Sequence, residues 1–390
     1  MKKLAPPPRI GKNERKQRLA ALCNLMDKES VAATLLGPTS SLRYFTGIAW
    51  HPSERFTGAL VHANGKVDYI CPAFERDKVS AMVGTDGEFF TWQEEESPYT
   101  LIADRVGPSG KVAVDDAVAL FTYRGLARAI APERLADGGP LINRLRRSKS
   151  AAEIALMQYA KDITLDVQRR AWKHLRPGIR ASEVEQFIDR EHRALGADQG
   201  NTFCIVSFGE DTALPHGGET DRMLKENDAV LIDTGTQYDG YNSDITRSYV
   251  FGEPTAEYVR VWTAEKESQA AAFEAARLGA PCEIVDAAAR ASQKAGGFGP
   301  DYKLPGLPHR TGHGIGLDVH EAPNLVRGDK TALAAGMCFS NEPMIVVPGK
   351  FGIRLEDHFY MTNDGARWFT QPQPSLDDPF KGVEPLEPPL

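Results

Sequence analysis

No run of apolar residues in the chain approaches the roughly 18 needed to cross a bilayer, so a helical membrane protein is not expected. Met1 to Lys28 carries lysines but no apolar stretch of secretory-leader type behind them, and no leader is expected there. Cysteine is scarce and scattered. Cys23, Cys71, Cys204, Cys282 and Cys338 are odd in number and contain no C-x-x-C spacing. That excludes a disulfide framework or a thiolate zinc site and points to reduced thiols in a cytoplasmic chain. Positive charge is in deficit too. Lysines and arginines number 46 against 53 acids, a net charge of −7, so no broad cationic field would attract nucleic acid or an anionic membrane. The surplus acid is either ordinary solubility or a group of carboxylates gathered around a cation.

What is present fits a folded chain: 42% hydrophobic and 25% charged residues exclude global disorder. At roughly 150 residues per domain, the 390 residues suggest two or three domains. In the first part, Val31–Leu36, Thr57–Val61 and Lys66–Cys71 read as strands, with His62-Ala63-Asn64-Gly65 as a hairpin turn. Arg76–Val83 and Ala117–Ile130 read as helices. This is a small α/β domain without a cluster of catalytic residue types. The charged connector Arg144-Leu145-Arg146-Arg147-Ser148-Lys149 marks a boundary, which places the domains at 1–147 and 148–390. Ser150 and Glu153 have capping-box spacing, so a long helix is expected over Ala151–Leu175, with a second from about Ala181. Pro6–Pro8 reads as an extended segment. The six prolines between Gln371 and Leu390 read as a loosely ordered tail.

The chemistry-bearing residues lie on two hairpins. In the first, an Asp239-Gly240 turn pairs Tyr238 with Tyr241 and sets Asp244 opposite Gly235. Asp233 then becomes the same-face diagonal neighbour of Asp244, with Cα atoms roughly 7–8 Å apart. Two carboxylates so placed repel each other unless a cation lies between them. The second hairpin turns at Pro348–Gly352. If Val347 pairs with Ile353, Met344 faces Glu356, and Glu342 is again a same-face diagonal neighbour. Pro343 lacks a ladder donor and could interrupt that strand. Between the hairpins, Gly312, Gly314 and Gly316 surround His313 and leave its ring unobstructed. No Lys-Ser/Thr follows this glycine run, which argues against a phosphate cradle. His216 reads equally as a loop residue, and Asp318 and Glu321 as surface or supporting acids.

In that order, Asp233, Asp244, His313, Glu342 and Glu356 resemble the ligand set of the pita-bread metallopeptidases. That group includes methionine aminopeptidase, aminopeptidase P and prolidase, with creatinase as a metal-free relative. The phrases Ile-Asp-Thr-Gly, Ser-Asp-Ile-Thr-Arg, Gly-His-Gly-Ile-Gly-Leu-Asp-Val-His-Glu, Asn-Glu-Pro-Met-Ile and Gly-Ile-Arg-Leu-Glu-Asp carry the likeness. The resemblance implies an α+β chain: a creatinase-like α/β domain followed by a pita-bread domain. It further implies that Asp244 and Glu356 bridge two metals, Asp233 holds one, and His313 with Glu342 holds the other. A water or hydroxide between the ions would be the nucleophile. Glu342 would shuttle its proton, His216 and His320 would flank the scissile bond, and His309 would border a proline pocket. Arg354, on the strand face of Glu356, either orients or pairs with that carboxylate or binds a substrate carboxylate.

Within the group, an Xaa-Pro dipeptidase is the preferred reading. The first domain is short, and Arg367-Trp-Phe-Thr and Ser375-Leu-Asp-Asp-Pro resemble that bacterial subgroup. An aminopeptidase P acting on longer peptides is the alternative. A non-catalytic binding protein is a third reading, which retention of all five ligands opposes. Four carboxylates and one imidazole suit two Mn²⁺ ions, with Co²⁺ or Zn²⁺ also compatible. The resemblance implies a homodimer, with the Trp50-His51 loop near the partner's site.

Overall fold

Val31–Leu36 contains no charged residue, and as strand β1 it lies inside a six-stranded sheet. The other strands are β2 (Gly58–His62), β3 (Val67–Pro72), β4 (Glu88–Trp92), β5 (Lys111–Val114) and β6 (Leu135–Asp137), in the order β4-β3-β2-β1-β5-β6. Gly65, at φ +87°, closes the β2–β3 hairpin by donating its N–H to the His62 carbonyl at 2.9 Å. Leu35, Leu60, Ile70 and Val112 from the sheet pack with Ile102 and Leu126 from helices Pro98–Val106 and Leu120–Ala129. Each such side chain contributes about 1.5–3 kcal/mol through burial. The second helix starts three residues later than expected from Ala117, because Asp115 Oδ1 accepts the Ala117 N–H and holds a turn there.

The computed structural model describes residues 2–388. Ile10–Arg146 forms one unit, and the segment from Arg147 onward forms the other together with the residues up to Arg9. The chain start was expected in the first domain. It joins the second unit because Lys2 and Lys3 pair in parallel with Leu386 and Glu387, and Arg9 Nη1 donates to Asp198 at 3.1 Å.

In the second unit, helix Ala151–His174 begins at the expected capping box. Ser150 Oγ accepts the Glu153 N–H at 3.2 Å, and Glu153 Oε2 accepts the Ser150 N–H at 2.8 Å. Helix Ala181–Ala194 follows. A three-stranded sheet has the order β11-β8-β7, built from β7 (Phe203–Phe208), β8 (Asp228–Gly235) and β11 (Ile245–Phe251). Between β8 and β11, β9 (Gln237–Tyr238) and β10 (Tyr241–Asn242) form the tip of the hairpin. A five-stranded sheet has the order β13-β12-β14-β17-β18, with β12 (Gly312–Gly314), β13 (Glu321–Leu325), β14 (Cys338–Asn341), β17 (Asp357–Thr362) and β18 (Gly365–Trp368). The pair β15 (Met344–Val347) and β16 (Phe351–Arg354) completes the set. Helices Ala256–Ala275 and Glu283–Ala295 carry Val261 and Val285 into two apolar cores against these strands. The α+β class is as expected.

The proline-rich end departs from its reading as a loose tail. Gln373 is fully buried and donates to the Ser248 carbonyl at 2.9 Å, and Phe380 packs on Trp172. Leu386 is buried beside Lys2 in the parallel pair. Proline removes N–H donors without preventing neighbouring side chains from filling a core. Pro389 and Leu390 lie outside the described residues.

Candidate metal centre

The first hairpin folds in the expected register. Asp239 and Gly240 have φ of 49° and 78°, the positive pair that a tight two-residue turn requires. Tyr238 pairs with Tyr241, and the alignment continues to Thr246 opposite Asp233. Asp244 is therefore diagonal to Asp233 on one face. Gly235 leaves no room for a side chain: a Cβ there would stand 2.0 Å from the Ser243 carbonyl oxygen.

The second hairpin corrects the expected register. Val347 pairs with Phe351, leaving only Pro348, Gly349 and Lys350 in the turn, with Gly349 at φ +71°. Met344 consequently faces Arg354, not Glu356. On the far side of the break Asn341 pairs with Asp357, so Glu342 and Glu356 align directly across the strands instead of diagonally. The slip is by two residues, an even number, so both acids keep their expected face. The ladder is interrupted at Pro343. There the Glu342 N–H turns to Thr311 O at 2.9 Å, and the Glu356 N–H turns to Thr246 O at 3.2 Å.

Strand β12 brings His313 to these acids. Its Nδ1 lies 3.0 Å from the Gly314 carbonyl, which can only accept, so Nδ1 carries the hydrogen. Nε2 then points at Glu342 Oε1 at 3.0 Å, with Asp244 Oδ2 at 3.9 Å. That arrangement is favourable when a proton or a metal cation occupies the Nε2 lone pair. Ser340 fixes both partners by accepting the His313 N–H at 2.9 Å and donating to Glu342 Oε1 at 3.0 Å. Thr246 Oγ1 donates to Glu356 Oε2 at 2.6 Å.

Arg354 does not pair with Glu356. Its Nη2 contacts Asp233 Oδ2 at 2.5 Å, while Nε donates to Thr246 Oγ1 and Nη1 to Pro215 O. The side chain is long enough to reach past its own strand to the neighbouring acid.

The electrostatics favour a cation. Burial, and then the charges of Glu356, Asp233 and Glu342, push the Asp244 carboxyl well above the ordinary range. Burial with the Glu342 and Asp233 charges does the same to Glu356. Burial also raises Glu342, but the His313 hydrogen bond and charge, aided by His309 and Arg354, bring it below its ordinary value. Among the described residues, Asp233 Oδ1, Asp244 Oδ1 and Glu356 Oε1 are buried without a hydrogen-bond partner, a costly state for carboxylate oxygens. His313, Glu342 and Glu356 each offer a ligand atom within 4.8 Å of the others, as do Asp244, Glu356 and His358. Hard oxygen donors with imidazole at this spacing fit divalent cations.

A cavity of about 580 Å³ opens on this cluster, lined by His216, His309, His320, Arg310, Glu342 and Arg354. His320 packs edge-on against His313 with ring centroids 4.1 Å apart. Desolvation, with His313 and Arg310 nearby, pushes its imidazole down to about 4. His309 lies nearby, with Nδ1 2.7 Å from the Arg310 carbonyl and Nε2 buried without a partner among the described residues. Glu321 faces away to Lys149 Nζ at 2.8 Å. All nine residues expected at a site thus gather in one region. Reading the sequence overlooked Ser340, Thr246, Arg310 and His358. Alternation from Glu342 and Glu356 would have put Ser340 and His358 on the same face.

Comparison with known proteins gives the family. A family model for metallopeptidase family M24 matches residues 155–363, and one for the creatinase/prolidase N-terminal domain matches residues 18–148. An Xaa-Pro dipeptidase from Lactobacillus helveticus is 32% identical, over 90% of this chain and 96% of the relative. The solved dipeptidase PepE from Mycobacterium ulcerans is 32% identical with a TM-score of 0.86, covering 93% of this chain and 97% of that one. The prolidase from Thermococcus sibiricus is 30% identical with a TM-score of 0.83, covering 92% and 97%. The chain belongs to metallopeptidase family M24, an enzyme with a creatinase/prolidase N-terminal domain ahead of a pita-bread catalytic domain.

Proposed function

We propose that the protein hydrolyses the imide bond of Xaa-Pro dipeptides with two divalent cations. Asp233, Asp244, His313, Glu342 and Glu356 would hold them, Asp244 and Glu356 between the two. The observation that carries this reading is the convergence of those five side chains, with three orphaned carboxylate oxygens, beside a histidine-lined cavity. When bound, the cations polarise the scissile carbonyl and lower the pKa of water.

The chain's own residues supply the rest. Glu342 lines the cavity and is held ionised, so it is ready to take a proton from water and pass it to the leaving proline nitrogen. His320 is neutral near pH 7 and can donate a ring N–H to the developing oxyanion, with His216 on the same rim. An Xaa-Pro imide has no N–H to grip, so shape must hold the ring, and His309 with Pro308 offers a wall for it. Arg354 is committed to orienting Asp233. Arg310 is the guanidinium suited to the free carboxylate of a dipeptide.

Mn²⁺ is our proposed metal, since four carboxylates make the set oxygen-rich. The five unpaired thiols favour a reducing, cytoplasmic setting. Among the described residues, no helix is long and apolar enough to cross a membrane. We also propose a homodimer with the exposed His51, beside Trp50, near the partner's site.

The test compares an Xaa-Pro dipeptide with an Xaa-Pro-Yaa tripeptide on Mn²⁺-loaded protein. Faster dipeptide cleavage is expected. Cleavage of the tripeptide alone would make the enzyme an aminopeptidase P, and full activity after both Glu342→Ala and exhaustive chelation would end the metallopeptidase mechanism.

A further inference from the structure

Strand β17 starts directly after Glu356, and alternation places His358, two residues on, with the same facing as that acid. Its cross-strand partner is Ser340, the residue that already fixes His313 and Glu342. His358 is fully buried, with its ring centroid 6.5 Å from that of His313. Among the described residues neither ring nitrogen has a partner of full hydrogen-bond geometry, and the Asp244 backbone, close enough to favour the charged ring, makes only a weak contact. A buried polar atom left so costs about 1–3 kcal/mol, so a partner is expected.

The distances say what kind of partner. His358 Nε2 is 3.9 Å from Glu356 Oε1, too far for a hydrogen bond. Two ligands bonded at about 2.1 Å to one ion stand about 3 to 4.2 Å apart. Ligand atoms of Asp244, Glu356 and His358 all lie within 4.8 Å of one another.

We propose that His358 is a sixth protein ligand of the centre, its Nε2 joining Asp244 and Glu356 on one of the two cations. The proposal rests on the dinuclear reading above and adds an imidazole to it. With two imidazoles the set moves toward metals that favour nitrogen, Co²⁺ and Zn²⁺ included.

The experiment loads the full chain with Co²⁺ and records its paramagnetic proton spectrum beside a metal titration. Each cobalt-bound imidazole that keeps a ring N–H gives one strongly shifted, solvent-exchangeable resonance. Two are expected in the wild type. His358→Gln should lose one, His313→Gln the other, and His358→Gln should weaken one binding step by more than the roughly 10- to 100-fold that loss of an outer-shell partner costs. Circular dichroism and thermal unfolding of metal-free His358→Gln and His358→Phe check that the fold is intact. If neither variant folds, the wild-type count still decides. Two bound cobalt ions with a single imidazole resonance would overturn the role of His358 and leave the dinuclear reading standing. Both resonances surviving in His358→Gln would overturn it equally. Failure of the wild type to take up two ions would remove the dinuclear reading as well.

Discussion

Arg247 and Asp357 form a two-point ion pair, Nη2 to Oδ1 at 2.8 Å and Nη1 to Oδ2 at 3.2 Å, with both side chains fully buried. Arg247 Nη1 also donates to the Glu356 carbonyl at 2.9 Å, and Gln269 and Thr370 donate to Asp357. The pair ties β11 to β17 behind Asp244 and Glu356, each one residue outside those strands.

Arg247→Met should be costly for that reason. It leaves Asp357 buried without its counter-charge, and removing one partner of such a pair costs about 3–5 kcal/mol. Arg247→Met with Asp357→Leu removes both charges and should recover much of that loss. Denaturant unfolding of the three metal-free variants measures the cycle. An Arg247→Met protein as stable as wild type would show that the pair does not hold the strands.

Stability should depend on pH in opposite senses with and without metal. Burial and mutual repulsion raise the Asp244 and Glu356 carboxyls in the folded protein. Between the ordinary carboxylate pKa of about 4 and those raised values, the folded state binds more protons than the unfolded state. By linkage, stability is then lost as pH rises through that interval. Metal uptake displaces those protons, so the loaded protein should gain stability with rising pH. Thermal unfolding across mildly acidic to neutral pH, with Mn²⁺ or with chelator, would show the two slopes. Asp244→Asn should flatten the metal-free slope. Parallel slopes with and without metal would count against the carboxylates as ligands.

The difference between what the sequence disclosed and what it hid has physical causes. The Asp239-Gly240 turn permits one loop length, so the register of Asp233 and Asp244 followed from two residues. Pro348–Gly352 offers several places to turn, and the register there came out two residues away. The face survived because side chains alternate with period two. Arg354 was placed correctly on its strand, but a flexible side chain of that length is not confined to its nearest same-face acid. Asp233, on a strand distant in sequence, was the better partner. The packed end hid its order behind prolines, while Gln373 and Phe380 supplied the packing. His358 was legible by alternation alone, yet it has no counterpart among the five residues whose order resembles a known ligand set.

Gly235 gives the most local test of how the backbone sets the metal centre. It lies opposite Asp244 in the hairpin, and the Ser243 carbonyl oxygen would be 2.0 Å from any Cβ added there, with the Phe203 ring at 2.8 Å. A ring can turn aside, but a backbone carbonyl between two paired strands cannot move without carrying Asp244 with it. Gly235→Ala should therefore separate Asp244 from Asp233 while leaving both carboxylates in the chain. Metal affinity should fall about tenfold for each 1.4 kcal/mol of lost binding, and activity should fall with it. Unfolding of the metal-free variant should shift less than its metal-loaded counterpart, because the damage lies mainly in the cation site. Calorimetric Mn²⁺ titration and thermal unfolding of both forms measure this difference. Wild-type Mn²⁺ affinity in Gly235→Ala would show that the spacing of the two acids does not depend on this close backbone approach.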